Sequence, residues 1–403
     1  MAEMNRANRI GRREFLAGAA TAAAAFTIVK PSAVRGSEAN STLEIGLVGC
    51  GGRGTWIVPL FEKHGRYKWV ACADYYPEYA DKVGEMCKIP SSRRYTTLSA
   101  CKKLCESRLD AVVIETPPYF HPEQAAMAVE AGKHVYLAKP VAVDVPGCRT
   151  IAECGQKATG RKLAFLVDFQ TRADEHFREA ARRIHGGQLG RLVCGDARYP
   201  CGVIDKKPPK SPEYRLREWY NYRTFSGDFI VEQSIHALDV ATWFANAAPL
   251  SAVGAGGSKG LRSYGDCWDH FNLVYRFPNE FVLSFYSTQM VHGAPNEIVC
   301  RIYGSQGTVD SDYFSHVCIT GPKPWPGAKI ANLYTSGTEV NIREFYDAVT
   351  GGKYDNTTVA PSVRSNLTCI LGRTAAYEGK EVTWEEMMKT NEKYEADLKG
   401  LKA

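Results

Sequence analysis

The glycines that follow an apolar run carry the first chemical signal in this chain. Residues 43–49 (LEIGLVG) lead directly into Gly49-Cys-Gly51-Gly-Arg-Gly54, after which the pattern becomes helical. Glycines at this spacing allow a tight turn, a close approach of backbone to a pyrophosphate, and close packing of a helix on a strand. The first N–H groups of that helix would then face the phosphates.

An acid at the end of the next apolar run fits the same ligand. Residues 69–73 end in Asp74, twenty positions after Gly54. A carboxylate there can accept hydrogen bonds from both ribose hydroxyls and would repel a 2′-phosphate, which favours NAD over NADP. The alternative is a solvated turn residue, but the order of strand, glycine loop, helix, strand and acid favours a dinucleotide site. The predicted cofactor-binding residues here are Gly49, Gly51, Gly52, Arg53, Gly54 and Asp74.

Acidic and basic side chains recur at helical spacing farther along the chain. The apolar residues of 229–245 fall near a helical period, which places Glu232, His236 and Asp239 along one polar stripe. An imidazole titrates near neutral pH and is suited to removing a hydroxyl proton. The alternative is a solvated helix face with ordinary side-chain pairs.

Two further strand–helix units must position these groups. The strand 110–114 runs into Glu115-Thr116-Pro117-Pro118, and the strand 134–137 runs into Ala138-Lys139-Pro140. Alternating strands and helices of this length predict a parallel, doubly wound sheet, whose ligand crevice lies at the carboxyl ends of the strands.

In combination and order, five features resemble the Gfo/Idh/MocA family of oxidoreductases: GLVGCGGRG, Asp74, TPPYFH, AGKHVYLAKPVAV and SGDFIVEQSIHALDV. The resemblance extends from residue 43 to about residue 388. It implies an α/β fold, with an N-terminal Rossmann domain and a C-terminal α+β domain built on a large open, mostly antiparallel sheet. It also implies an enzyme that uses NAD to oxidise or reduce a CH–OH group.

The resemblance implies roles for three catalytic residues: Lys139 as the lysine, His236 as the histidine and Glu232 as the acid four residues before it. A lysine between cofactor and substrate can stabilise the charge of a developing alkoxide. Two positions depart from the family pattern. Ala138 stands where a glutamate normally precedes the lysine, and Glu232 stands where aspartate is common.

Other candidates complete the predicted site. Thr116, Pro117, His121 and Lys139 are further predicted cofactor contacts, although His121 could instead begin a helix. The predicted substrate contacts are Gln170, Arg172, Arg223 and Asp239. Arg223 could alternatively pack a loop, which is the role expected of Trp219.

The thirteen cysteines predict structural thiols rather than a metal site. Cys50, Cys72, Cys194 and Cys300 fall in apolar stretches where a buried thiol packs well. Cys101 and Cys105 would share one helix face, but two further ligands at metal-like spacing are absent. We predict no metal.

The first forty residues have the features of a targeting segment. Arg12-Arg13 is followed by Phe15-Leu16 and an alanine-rich apolar tract, which resembles a twin-arginine export signal. The alternative is an amphipathic surface helix. Residues 1–35 contain six Lys and Arg against two Asp and Glu, so most of the net charge of +6 lies there. The rest of the chain therefore gives no electrostatic case for nucleic acid. We predict a periplasmic or otherwise exported protein with no membrane span.

The second half changes to longer alternating strands at 192–199, 268–277, 281–289 and 298–303, which predict an antiparallel sheet. The resemblance implies that its open face forms a homodimer or homotetramer. Segments 206–217 and 320–337 are predicted loops, and 341–350, 361–377 and 385–398 are predicted helices. The predicted division is a signal and linker at 1–39, an NAD-binding domain at 43–168, a substrate and oligomerisation domain at 169–345, and helices at 346–403 that return to the first domain.

Together these observations predict hydride transfer between NAD, held tightly, and a secondary hydroxyl of a sugar, glycoside or cyclitol. The first alternative is an NAD-dependent glycosidase that works by transient oxidation at C3, elimination, water addition and reduction. The second is a non-catalytic sugar sensor, against which the joint presence of Lys139, Glu232 and His236 argues.

Overall fold

The computed structural model describes residues 42–202 and 213–403, so the predicted export signal lies outside the described residues. The first half is a six-stranded sheet in the order β3-β2-β1-β4-β5-β6, in which every pairing is parallel. Its elements are β1 (Leu43–Val48), α1 (Gly52–His64), β2 (Tyr67–Asp74), α2 (Pro77–Met86), β3 (Arg94–Thr96), α3 (Ala100–Glu106), β4 (Ala111–Ile114), α4 (His121–Glu130), β5 (His134–Ala138), α5 (Val145–Gly160) and β6 (Phe165–Asp168).

The strands of this sheet are apolar throughout because helices cover both faces. All four residues of β4 are buried, and they alternate between two cores. Val112 and Ile114 pack with α4 and α5, whereas Ala111 and Val113 pack with α1 and with Phe345 from the second half. The doubly wound parallel sheet predicted from the sequence is confirmed.

The second half is a nine-stranded sheet in the order β14-β13-β12-β11-β7-β10-β9-β8-β15. Among the described strands of this second sheet, only β7 and β10 pair in parallel, so the predicted mostly antiparallel sheet is also confirmed. Its strands are β7 (Leu192–Pro200), β8 (Ser251–Gly257), β9 (His270–Arg276), β10 (Val282–Thr288), β11 (Val299–Gly304), β12 (Gly307–Asp312), β13 (His316–Thr320), β14 (Trp325–Lys329) and β15 (Val382–Thr383).

Helices connect and cover this sheet. They are α6 (Gln170–Ala173), α7 (Glu175–His185), α8 (Tyr214–Arg217), α9 (Arg223–Ser226), α10 (Phe229–Glu232), α11 (Ile235–Ala245), α12 (Leu333–Thr350), α13 (Val359–Glu378) and α14 (Trp384–Thr390). Helix α12 packs on α1 and β6, and α13 packs on both α5 and β8, so the two sheets share these helices. No described helix is long and apolar enough to cross a membrane.

The expectation of one continuous helix over 229–245 is wrong. The chain leaves helical geometry between α10 and α11, where Ser234 N–H reaches the carbonyl of Phe229, five residues back. The hydroxyl of Ser234 lies 2.7 Å from that of Ser287 on β10, and Ser287 in turn donates to the carbonyl of Tyr199 on β7. This attachment to the sheet competes with the helical pattern and turns α11 relative to α10.

The expected loop over 320–337 contains the strand β14 and the start of α12. Its prolines are tolerated because β14 is an edge strand, where a missing N–H breaks no ladder. The segment 206–217 contains α8, and its residues 206–212 lie outside the described part of the chain.

Two smaller expectations also fail. The last helix stops at Thr390 rather than near residue 398, because Asn391 takes a left-handed conformation with φ of 51°. Cys194 is exposed, since it lies on the outward face of β7, whereas Cys50, Cys72 and Cys300 are buried as expected.

Candidate active site

A cavity of about 570 Å³ lies at the carboxyl ends of the parallel strands. The glycine loop and Asp74 line one side of it, and the turn after β4 lines another. From the second half, residues 216–220 and Gln233 complete the wall. The crevice predicted at this edge of the sheet therefore exists, and residues of both halves of the molecule line it.

The glycine loop has the geometry that a dinucleotide requires. Gly49 adopts φ of 91°, and a Cβ there would lie 2.6 Å from the carbonyl carbon of Glu115. A Cβ on Gly54 would overlap the carbonyl oxygen of Gly49, so this glycine lets α1 pack against β1. Gly51 faces open space and is the N-cap of α1, where no described side chain caps the helix. The first N–H groups of α1 are thus free to meet a phosphate.

Asp74 ends β2 and lines the same cavity. Its carboxylate accepts the N–H of Cys50 at 2.7 Å and the N–H of Tyr76 at 2.9 Å, which fixes its orientation. A carboxylate has about four lone-pair sites, so acceptor capacity remains for ribose hydroxyls. Burial raises the pKa of Asp74 to about 6, against the two backbone donors that lower it. Together with the glycine loop, this side chain fits a dinucleotide.

A segment of the second half covers the cavity near Asp74. Arg217 of α8 donates to Tyr79 at 2.8 Å and lies 4.3 Å above the ring of Tyr76. The hydroxyl of Tyr76 in turn donates to the carbonyl of Glu213. Residues 213–220 are therefore attached to α2 across the mouth of the cavity, an arrangement that the sequence did not reveal.

Lys139 follows β5 and reaches α10. Its ammonium donates to the carbonyl of Glu232 at 2.6 Å and to Glu232 Oε1 at 3.1 Å. The two side chains are only 17% and 13% exposed. Burial raises the pKa of Glu232, and the charge of Lys139 opposes that rise. Two residues that the sequence separates by 93 positions thus form one partly buried ion pair.

His236 lies one turn beyond this pair, on α11, and is 8% exposed. Its ring packs edge-on against Phe169 and Tyr313, and its Nδ1 is buried without a hydrogen-bond partner among the described residues. Burial lowers its pKa well below the usual value, and the charges of Lys139 and Arg53 lower it further. The expectation of a histidine that titrates near neutral pH is therefore wrong: the imidazole is neutral there.

Asp239 does not join this group. It is wholly buried one turn farther along α11 and forms a bidentate ion pair with Arg172 at 2.9–3.0 Å. Ser365 of α13 also donates to it at 2.7 Å. The predicted substrate contacts Arg172 and Asp239 instead satisfy each other, because the turn between α10 and α11 separates Asp239 from Glu232.

Three other predicted contacts have structural partners. Gln170 is 1% exposed and donates to Asp168 at 3.3 Å. Arg223 stacks on Tyr377 at 4.6 Å. His121 begins α4 and is 1% exposed.

Both ring nitrogens of His121 face backbone carbonyls, those of Pro140 at 2.7 Å and Thr116 at 2.8 Å. The ring thus ties the turn after β4 to the turn after β5 and does not line the cavity. Trp219, expected to pack a loop, does line it, as do the predicted cofactor contacts Thr116 and Pro117.

The sequence reasoning missed two buried carboxylates, Glu115 and Asp168. Glu115 lines the cavity directly after β4, and Asp168 ends β6. A signal was present, since each follows an apolar strand as Asp74 does.

The fold and the cavity define a Rossmann-type protein with a dinucleotide site. Residues 43–165 match the profile described as "Oxidoreductase family, NAD-binding Rossmann fold", and residues 177–310 match the "GFO/IDH/MocA C-terminal domain". The chain therefore belongs to the Gfo/Idh/MocA oxidoreductase family, as the resemblance implied, and NAD is its cofactor.

Several characterised proteins are similar to it. Inositol 2-dehydrogenase of Rhizobium meliloti (strain 1021) is 23% identical over 346 residues, which cover 83% of this chain and 96% of that protein. A glycosyl hydrolase family 109 protein of Porphyromonas gingivalis is 35% identical over 183 residues, or 43% of this chain and 38% of that protein. The solved structure of levoglucosan dehydrogenase with NADH has a TM-score of 0.70 at 18% identity and covers 85% of this chain and 99% of that one.

Proposed function

We propose that this oxidoreductase transfers hydride between a secondary hydroxyl of a sugar, glycoside or cyclitol and a tightly held NAD. The observation that carries the proposal is the meeting of Lys139, Glu232 and His236. They do not line the cavity themselves but lie close enough to Arg53 of its wall for the charge of Arg53 to act on Glu232 and His236. Together they supply a cation, a carboxylate and a neutral imidazole at one place. The inositol 2-dehydrogenase similarity supports the polyol class of substrate.

The residues divide the proton chemistry between them. NAD, which the glycine loop and Asp74 would hold, would supply the acceptor for the hydride of the substrate's C–H bond. His236, neutral and with Nδ1 unpartnered within the described chain, takes the proton of the hydroxyl group. Lys139 donates a charged hydrogen bond to the same oxygen as negative charge develops there. Glu232 holds the ammonium of Lys139 in place from 3.1 Å.

The covering segment supports a cofactor that stays bound through turnover. Residues 216–220 line the cavity, and Arg217 attaches them to α2. The C-terminal residues add a second attachment through the backbone of Lys402. Its N–H donates to the hydroxyl of Tyr75 at 3.1 Å, and its carbonyl accepts from the N–H of Leu98 at 3.0 Å. These contacts hold both segments against Tyr75, Tyr79 and Leu98, which line the cavity, and this favours slow release of NAD.

Absorbance at 340 nm tests this function directly. Candidate sugars and cyclitols are added to the purified protein without free cofactor, and reduction of bound NAD is followed. We expect reduction by at least one neutral polyol, and the His236→Ala protein serves as a control that keeps its NAD but reacts poorly. Absence of reduction across such a panel, with NAD present in the protein, would contradict the proposal.

The glycosidase alternative is supported by the 35% identity to a glycosyl hydrolase family 109 protein. The same groups could remove the hydroxyl proton at C3 while NAD took the hydride of that carbon. Elimination would then release the aglycone, water would add in its place, and the hydride would return to C3. A chromogenic glycoside separates the two functions: a hydrolase releases aglycone with no net change at 340 nm, whereas a dehydrogenase gives absorbance without release.

We also propose export through the twin-arginine route and a homo-oligomer built on the open face of the nine-stranded sheet. The export proposal rests on Arg12-Arg13 and the apolar tract that follows. Changing both arginines to lysine should retain folded protein in the cytoplasm. The same change at Arg6 and Arg9, which are not adjacent, should leave export intact. Normal export of the first variant would contradict the assignment.

A further inference from the structure

Two buried carboxylates flank Ala138 in the parallel sheet. Ala138 pairs with Asp168 on β6, and Leu137 pairs with Ile114, so Glu115 lies one residue farther along β4 at the level of Ala138. Both carboxylate side chains are 0% exposed. Ala138 itself contributes no charge between them.

Arg53 of the glycine loop joins the two acids. Its Nε lies 3.3 Å from Glu115 Oε2, and its Nη2 donates to Asp168. The guanidinium lies 4.5 Å from the ring centre of Trp56 and 4.9 Å from that of Tyr334, two rings that also contact each other. Arg53, Glu115 and Asp168 are called the acid–arginine cluster below. With both acids ionised it carries a net charge of −1.

The surroundings do not neutralise that charge. Asp168 accepts from the neutral amides of Asn341 at 2.7 Å and Gln170 at 3.3 Å. Glu115 Oε1 is buried without a partner in the described part of the chain. The nearby ammonium of Lys139 is paired with Glu232, so that pair adds no net charge.

The cluster lies at the end of the cavity away from Asp74. Arg53 and Glu115 line the cavity at the ends of β1 and β4, whereas Asp74 lines it from β2. In a dinucleotide that crosses the strand ends, the adenosine ribose meets the acid after β2 and the pyrophosphate meets α1. The nicotinamide therefore falls on the side of β4, β5 and β6, where the cluster lies.

We propose that the acid–arginine cluster makes the nicotinamide subsite selective for the oxidised cofactor. The ring of NAD⁺ carries a positive charge and that of NADH does not. A buried net negative charge beside the ring therefore stabilises NAD⁺ more than NADH. This keeps the resting enzyme in the form that accepts hydride, and it lowers the reduction potential of the bound couple.

The charge of the cluster varies across neutral pH. Burial raises the pKa of Glu115 to about 7, with Arg53 and Lys139 opposing the rise and Asp168 adding to it. Tyr136 of β5, which also faces the cluster, stays neutral because burial raises its pKa well above the usual value. The preference for NAD⁺ should therefore grow as the pH rises from 6 to 8.

Calorimetric titration of the purified protein, first depleted of its bound cofactor, with NAD⁺ and with NADH tests the proposal without any substrate. In Glu115→Gln, the ratio of the NADH to the NAD⁺ dissociation constant should fall about tenfold, the scale for one charge several ångströms away at moderate dielectric. A tenfold change corresponds to about 30 mV in the potential of the bound couple. Asp74→Asn is the matched control, because it should weaken both forms equally and leave the ratio unchanged.

The wild-type protein provides a second measurement that needs no variant. In the wild type, the ratio of the NADH to the NAD⁺ dissociation constant should rise between pH 6 and pH 8. In Glu115→Gln, the same ratio should not change with pH. If Glu115→Gln fails to fold, Asp168→Asn and the wild-type pH series carry the test. Two results would overturn the proposal: equal weakening of NAD⁺ and NADH binding in Glu115→Gln, or a wild-type ratio of dissociation constants that does not change between pH 6 and pH 8. The proposal rests on NAD binding alone, so an enzyme that oxidised no sugar would leave these ratios intact.

Discussion

Replacement of Lys139 by alanine tests the proposed chemistry most directly. The ammonium lies 3.1 Å from Glu232 Oε1, and both side chains are largely buried. Opposite unit charges at that distance attract by about 5 kcal/mol at an effective dielectric of ~20, before the cost of their desolvation. Loss of Lys139 therefore leaves a buried carboxylate without its cation, and the pKa of Glu232 should rise further.

The rate of hydride transfer in Lys139→Ala should also fall, because the variant lacks the charged donor to the developing alkoxide. A charged donor to the developing alkoxide is worth about 10²–10³-fold in rate, the scale seen when one oxyanion donor is removed. His236→Ala should cost about 10²–10⁴-fold, because it removes the base. The losses in the Lys139/His236 double variant should be far from additive, since both groups act on one oxygen in one transition state. Glu232→Gln should be milder and should shift the pH profile more than the maximal rate.

The assay is single-turnover reduction of bound NAD, followed at 340 nm over a range of pH, with NAD content measured for each variant. Lys133→Ala is the matched control, because that lysine is partly buried and donates to the carbonyls of Ser107 and Leu109, neither of which lines the cavity. Turnover in Lys139→Ala or His236→Ala within fivefold of the wild type, at normal NAD content, would refute the assignment.

Three further predictions follow from individual contacts. Asp74→Ala should weaken NAD binding by about 1–3 kcal/mol and relax the rejection of NADP, as calorimetry with both cofactors would reveal. The acidic limb of kcat/KM should lie below about pH 6.5, because burial keeps His236 in its basic, neutral form as the pH falls; a limb above that value would contradict the role. Arg373→Met should destabilise the protein by about 2–5 kcal/mol in urea unfolding, because the buried guanidinium donates to the carbonyls of Val143 and Gly227 at 2.8 Å each. Unchanged stability would show that those carbonyls find other donors.

The glycine loop shows what local sequence can determine. Strand, turn and helix follow one another within a dozen residues, and the packing of Gly54 depends on Gly49, five residues before it. The parallel sheet was predictable for a related reason, because buried strands must be apolar throughout and their alternation with helices permits few topologies. Asp74 could be placed because it ends the strand next to the loop.

Contacts between distant residues could not be assigned in this way. Arg53 meets acids 62 and 115 positions away, and Lys139 meets Glu232 at a separation of 93. The helical period of the apolar residues in 229–245 predicted that Glu232, His236 and Asp239 share one face of a helix. In the structure, the hydrogen bond between Ser234 and Ser287 of β10 interrupts the helix, and Asp239 pairs with Arg172 instead.

By itself, then, the sequence determined the Rossmann half, its cofactor and the place of Asp74 beside the glycine loop, because each follows from residues close together along the chain. Only the tertiary structure decided which buried charges neutralise one another and which remain. That outcome depends on distances of a few ångströms between side chains of different elements, and in a low-dielectric interior those distances govern both pKa and affinity. The net charge of the acid–arginine cluster is the clearest case, because no segment of the sequence contains all three of its members.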